Sequence, residues 1–249
     1  AFVWGVVIAG GGAFILNTLF GIGIYVLTGS EGAADFGTTS IVAPIIEEGL
    51  KGLAVLVVFL LFRKEFDSIL DGIVYGAITA MGFAAIENVL YIYRNGFQEG
   101  GWEGFWFLVV IRVILVGGMH PFFTSFTGIG FAVARLSRNT LVKIIAIPAG
   151  YATAVMLHAF HNTFSGLIGG VEGFIAGTFV DYLGYAFMIG FIIWVILRER
   201  NILKRQLVEE VNSGAITPKQ YNTAISFFQM NVHLAALTSG TFSSTRRFY

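Results

Sequence analysis

Four short clusters in this chain combine residue types that can move protons or hold a cation: Glu47-Glu48 with Lys51, Glu87-Asn88, His120 with Thr124, and His158 with His161 and Asn162. The spacing within them is helical. Glu47/Lys51, His120/Thr124 and His158/Asn162 stand at i,i+4, while Glu48/Lys51 and His158/His161 stand at i,i+3, so paired members share one helix face. Adjacent Glu47 and Glu48 point about 100° apart, so one of them is expected to face a reacting centre while its neighbour braces it or pairs with Lys51. Carboxylates, imidazoles and amides together suit hydrolysis. A carboxylate withdrawn from water is a stronger base toward a bound water, and His or Asn donors can face a developing oxyanion. Carboxylate and imidazole are also the only strong metal ligands on offer, because the chain has no cysteine; disulfides, thiolate metal sites and a cysteine nucleophile are excluded with it.

These clusters lie in segments suited to lipid. Hydrophobic residues make up 56% of the 249 and charged ones 12%, with a mean hydropathy of +0.78, which places the chain among polytopic membrane proteins. An ionisable group at bilayer depth costs at least about 2.5–3.5 kcal/mol on insertion scales, so several together call for a purpose. For any single cluster the bland alternative stands beside the chemical one, since a Glu or His in a membrane helix is also a common packing hydrogen-bond partner. Asp71 reads as a helix cap at the start of a span, and Asp181, without a matching partner, as structural. Arg112 either snorkels outward or neutralises Glu87, His161 is rotated from His158 on their helix, and His233 reads as incidental.

An apolar helix needs about 20 residues to cross about 30 Å of hydrocarbon. Six segments qualify, near 2–27, 39–62, 71–93, 105–134, 141–168 and 174–197, so the expected architecture is an all-α bundle of at least six transmembrane helices. The chain opens without Met, which leaves room for upstream residues, including another span; its first stretch reads as a span and not as a cleavable signal peptide. Basic residues near span ends fall on one side: Arg63, Lys64, Arg135, Arg138, Lys143, Arg198, Arg200, Lys204 and Arg205, against Arg94 alone on the other. That side is expected to be cytoplasmic. Residues 198–249 then form a short cytoplasmic tail beside a transmembrane domain of residues 1–197. Asn212-Ser213-Gly214 ends its first helix, and Thr217-Pro218-Lys219-Gln220 supplies a capping box for a second, hence a helical hairpin. Arg246-Arg247 is its longest basic run, which argues against nucleic acid as a partner.

Counting about 1.5 Å per residue along straight spans puts Glu47 and Glu48 about 12–14 Å below the outer boundary, Glu87 about 9 Å, His158 about 15 Å and His120 about 22 Å. His120 is out of line. Gly117-Gly118 followed by Pro121 offers a break that would bring it level, and four spans could then converge on one polar pocket.

The same residues carry a resemblance. Glu47-Glu48-Gly49-Leu50-Lys51 matches an EExxK pattern and Phe83-Ala84-Ala85-Ile86-Glu87-Asn88 an FxxxEN pattern. His120-Pro121-Phe122-Phe123-Thr124 matches HxxxT, and His158-Ala159-Phe160-His161-Asn162 matches HxxxN. In that order on successive spans, with Asp71-Gly72-Ile73-Val74-Tyr75-Gly76 between the first two, the chain resembles the PrsW-type intramembrane proteases over roughly residues 40–165. These are relatives of the CAAX prenyl proteases and the bacteriocin-processing membrane proteins. The resemblance implies an intramembrane endopeptidase acting on membrane-anchored proteins such as anti-sigma factors, in a prokaryotic plasma membrane. It implies that Glu47 and Glu48 hold or activate water, that Glu87 stands where the CAAX relatives place a histidine, and that His158 and Asn162 stabilise the oxyanion. His120 becomes a candidate metal ligand; with Glu48, Glu87 and His158 it makes up the expected metal set, and zinc is the expected cofactor. His161 stands where the family more often has an aromatic residue. Two other classes remain open, a proton-coupled transporter or channel built on the same ionisable groups, and a non-catalytic membrane binding protein. Inverted repeats, which a transporter would favour, are not evident.

Overall fold

The computed structural model describes residues 1–62, 66–168 and 170–225. Arg63, Lys64, His233 and Arg246-Arg247 lie outside the described residues. Those described are helical, without a strand among them. The chain divides into two compact units, Ala1–Ile189 and Gly190–Tyr249.

In the first unit, α1 runs Phe2–Thr28 and stops at Gly29, whose φ of 63° closes the helix in the left-handed region as its N–H reaches the Tyr25 carbonyl at 2.7 Å. Short α2, Glu31–Gly37, starts at Ser30, whose Oγ accepts from the Ala33 N–H. It leads through Thr38–Val42, wound in the wider π geometry, into α3, Ala43–Leu61. Helix α4, Ile69–Tyr91, opens on a capping box in which Ser68 and Asp71 each accept from the other's N–H, so Asp71 does cap its helix. Then come α5, Gln98–Val109, α6, Met119–Leu136, α7, Thr140–Ile168, and α8, Gly170–Asn212, whose first part belongs to this unit.

Among the described residues, four stretches are long and apolar enough to cross a membrane: Phe2–Thr28, Ile69–Leu136, Thr140–Phe164 and Ile175–Asn212. They make this a multi-pass membrane protein. Helix α3 is not among them because it carries Glu47, Glu48 and Lys51, all buried within the unit. Ile69–Leu136, 68 residues long, is not one straight rod. It is interrupted at Gly101 (φ 57°, ψ −145°) and again at Val116 (φ −116°, ψ 10°), with a π-wound segment, Val110–Leu115, between the two.

Close packing replaces bulk where helices meet. A Cβ on Gly72 of α4 would run into the Gly128 carbonyl of α6, and a Cβ on Gly128 into that of Gly72, so the two backbones touch. Val55, Val58, Phe66, Phe131 and Ala132 form the apolar core at one end, while Ala9, Ala13 and Phe83 join α1 to α4. Helix α3, bearing the acidic pair, is thereby held between α1, α4, α6 and α7.

In the second unit, α8 ends at Asn212, Gly214 turns with φ 77°, and α9, Pro218–Ala224, begins on a capping box between Thr217 and Gln220. The chain folds back on itself. Tyr221 Oη donates to the Lys204 carbonyl at 3.4 Å, and Arg200 Nε to that of Ile225 at 2.8 Å.

Candidate functional site

Lys51 and the glutamates beside it form the centre of the cluster. Glu48, fully buried at 0% exposure, accepts from Lys51 Nζ at 2.7 Å and His158 Nδ1 at 3.1 Å on Oε1, and from Thr124 Oγ1 at 2.7 Å on Oε2. Lys51, also at 0%, lies over the Phe83 ring at 4.1 Å and donates to His120 Nδ1 at 3.3 Å. Partners fix the tautomers: a carboxylate accepts only and an ammonium donates only, so His158 carries its proton on Nδ1 and His120 on Nε2. His120 Nε2 donates to Glu87 Oε2 at 2.9 Å, and Arg112 binds the same oxygen at 2.8 Å while its Nε reaches Asn88 Oδ1. Arg112 thus neutralises Glu87, and its guanidinium stacks 4.0 Å from Tyr91.

Glu47 is differently placed. Its Oε1 accepts from Asn17 Nδ2 at 3.2 Å, whereas its buried Oε2 has no hydrogen bond and stands 3.8 Å from both Lys51 Nζ and His158 Nε2. The 100° offset therefore turns Glu47 to the cavity and Glu48 to Lys51. The cavity holds about 520 Å³ and is lined by Glu47, Glu87, Arg112, His120, His158 and Asp181 among others. Among the described residues, the ligand atoms of Glu47, His120 and His158 lie within 4.8 Å of one another and could hold a metal ion. The expected set named Glu48 and Glu87 beside the two imidazoles, and not Glu47. Glu48 is engaged by three donors and Glu87 Oε2 by Arg112 and His120, while His120 would have to release Lys51 from Nδ1 to present a lone pair to a metal.

The arrangement fits a cation. Lys51 stands 2.7 Å from Glu48 but 3.8 Å from Glu47, whose Oε2 is left without a hydrogen bond. His158 gives its Nδ1–H to the Glu48 carboxylate and keeps a lone pair on Nε2, as metal-bound histidines commonly do.

Helix breaks bring these groups level. Val116 leaves helical geometry, α6 restarts at Met119, and His120 enters on its first turn, where Pro121 lacks only an N–H the helix would not use. His120 is thus at the head of a new helix and not deep in a continuous one. The π-wound Thr38–Val42 turns the Thr39 carbonyl to Asn162 Nδ2 at 2.9 Å, and the π-wound Val110–Leu115 carries Arg112.

Two residues go beyond the sequence reading. Asn17, an amide in the otherwise apolar α1, holds Glu47; its type in that setting was the available signal. Asp181 does have a partner, His161 Nδ1 at 3.0 Å, so the expectation of an acid without a matching partner is corrected: the two side chains meet from α8 and α7.

Comparison with known proteins places the chain in a family. The family described as "PrsW family intramembrane metalloprotease" matches residues 1–197. The chain belongs to that family. Relatives named Protease PrsW include those of Geobacillus kaustophilus (strain HTA426), 33% identical over 95 residues, 38% of each chain, and Clostridioides difficile (strain 630), 47% identical over 55 residues, 22% of this chain and 23% of that one. The PrsW of Bacillus subtilis (strain 168) is 29% identical over 108 residues, 43% of this chain and 45% of its own. This chain therefore spans less than half the length of those curated relatives in the matched stretches. No solved structure matches it.

Proposed function

We propose that this protein is an intramembrane endopeptidase that cuts membrane-anchored proteins, of the anti-sigma-factor type, with water activated by Glu47. The observation that supports the reading is the buried Glu47 Oε2, without a hydrogen bond, on a residue that lines a cavity shared with two imidazoles. Water entering there loses its proton to Oε2 while Asn17 keeps Oε1 engaged. Asn162 has a second amide N–H besides the one given to Thr39, and this is the donor for the oxyanion. His158 is steadied by Glu48, and Glu48 by Lys51 and Thr124, so the outer ring holds the reacting groups without itself reacting. Glu87, held by Arg112, closes the far wall. Glu47, His120 and His158 would hold a zinc ion; Glu47 would then bind it through one carboxylate oxygen and keep the other for the water's proton. Bound there, zinc supplies a Lewis acid for the scissile carbonyl and a more acidic water.

The proposed frame is a transmembrane domain of residues 1–197 crossing six times, with α3 as one crossing and Ile69–Leu136 folded into two about its breaks at Gly101 and Val116. A run of 68 residues at about 1.5 Å each exceeds the bilayer several-fold, which supports the fold-back. Residues 198–249 form a cytoplasmic tail.

Purified protein in liposomes with a membrane-tethered peptide tests the function. Wild type is expected to yield a cut product by mass spectrometry, and Glu47→Gln to lower the rate at least about 100-fold. Removing metal with a chelator should stop cleavage and added zinc restore it. Undiminished turnover by Glu47→Gln, or proton flux without any product, overturns the reading.

A further inference from the structure

His161 and Asp181 form a second dyad on the wall of the same cavity. Asp181, 6% exposed, fixes His161 Nδ1 as a donor, which leaves Nε2 as the ring's other functional atom. The Phe123 ring lies between the two imidazoles of α7, stacked on His158 with centroids 5.0 Å apart and tilted against His161 at 5.7 Å. His161 is thus kept apart from the cluster around Glu47 yet opens on the space a substrate would fill. A carboxylate-oriented imidazole beside a hydrolytic centre, engaged by none of the groups that activate water, suits the half of peptide hydrolysis those groups leave unserved: departure of the amine.

We propose that the His161–Asp181 dyad is the proton donor to the leaving amine, an assignment that rests on the protease reading above. As water attacks, its oxygen bonds the scissile carbon and its proton passes to Glu47. When the tetrahedral adduct collapses, the C–N bond breaks, its electron pair stays on nitrogen, and His161, protonated on both ring nitrogens against the Asp181 carboxylate, gives its Nε2 proton to that nitrogen. The proton on Glu47 then returns to His161 through solvent in the shared cavity, which restores both groups and leaves one water added across the bond.

A pair of tethered substrates with the same acyl part, one with a peptide bond and one with an ester, provides the test, because an alkoxide leaves with far less help than an amine. His161→Gln is expected to lower peptide cleavage about 100-fold while lowering ester cleavage less than about 10-fold. Asp181→Asn should show the same imbalance to a smaller degree. Equal loss on both substrates, or none on the peptide, overturns the dyad while leaving the protease standing. Wild type that cuts neither substrate overturns both. Near-wild-type melting of the two variants guards against misfolding, and rates per folded molecule keep the ratio meaningful if either melts early.

Discussion

At the scale of single residues, the charge balance turns on Lys51. Its short pair with Glu48 is buried on both sides, so removing one partner strands a charge, and Lys51→Met is expected to cost about 3–5 kcal/mol. Replacing both, Lys51→Met with Glu48→Met, should recover much of that loss, since the desolvation penalty disappears with the pair. Thermal unfolding in detergent checks both; a double variant no more stable than the single would show the pair to be stabilising in its own right. Asn17→Leu belongs to the same scale but reads out differently. With Oε1 of Glu47 released, zinc affinity should fall about 10- to 100-fold in competition with a chromophoric chelator, while the melting temperature stays close to wild type. The clusters themselves were legible in the sequence because ionisable side chains are expensive in apolar helices and stand out there. Which of Glu47 and Glu48 faces the cavity was not, since a 100° offset separates the two without saying which way the helix is turned; Thr124 and His158, from α6 and α7, decide it.

Among the elements, the interruption before α6 contributes most to assembling the site. Gly117-Gly118 ahead of Pro121 made a break legible, and the misfit in His120's depth demanded one. Less could be read of the π-wound turns at Thr38–Val42 and Val110–Leu115, because their composition is that of any apolar helix and their geometry follows from the packing around them. Asp181 was illegible for a related reason: its partner is 20 residues away on another helix, and no spacing rule reaches across a helix pair. Glycines divide by the same criterion. Gly72 and Gly128 bring two backbones together, but nothing lies within 4 Å of a Cβ placed on Gly11. Gly128→Ala should therefore destabilise by at least about 1–3 kcal/mol through overpacking, and Gly11→Ala should be neutral in the same melting experiment. If Gly128→Ala melts with wild type, α4 and α6 do not rely on that close approach.

For the whole molecule, the proposed protease activity requires a membrane-anchored substrate to reach the cavity, so the way the bundle sits across the bilayer would set which side of that substrate is cut. Basic residues near span ends gather on one side in the proposed six-span path, the side that the positive-inside rule assigns to the cytoplasm. The path then puts Gly32, at the start of α2, and Gly100, beside the break in α5, outside, and Ser213, after α8, inside. A chain without cysteine makes this directly measurable. Single substitutions Gly32→Cys, Gly100→Cys and Ser213→Cys can each be exposed in intact cells to a maleimide that does not cross membranes. Nothing lies within 4 Å of a Cβ at either glycine; Gly100→Cys should be tolerated, and Gly32→Cys adds a side chain to an exposed first turn. The first two variants should label in intact cells, and the third only after lysis. Labelling of Gly32→Cys but not Gly100→Cys would mean that the chain crosses only once between α2 and the Gly101 break, removing α3 and α4 as separate crossings. Ser213→Cys labelled in intact cells would reverse the tail and put the cavity's mouth on the opposite face from the one the basic residues select.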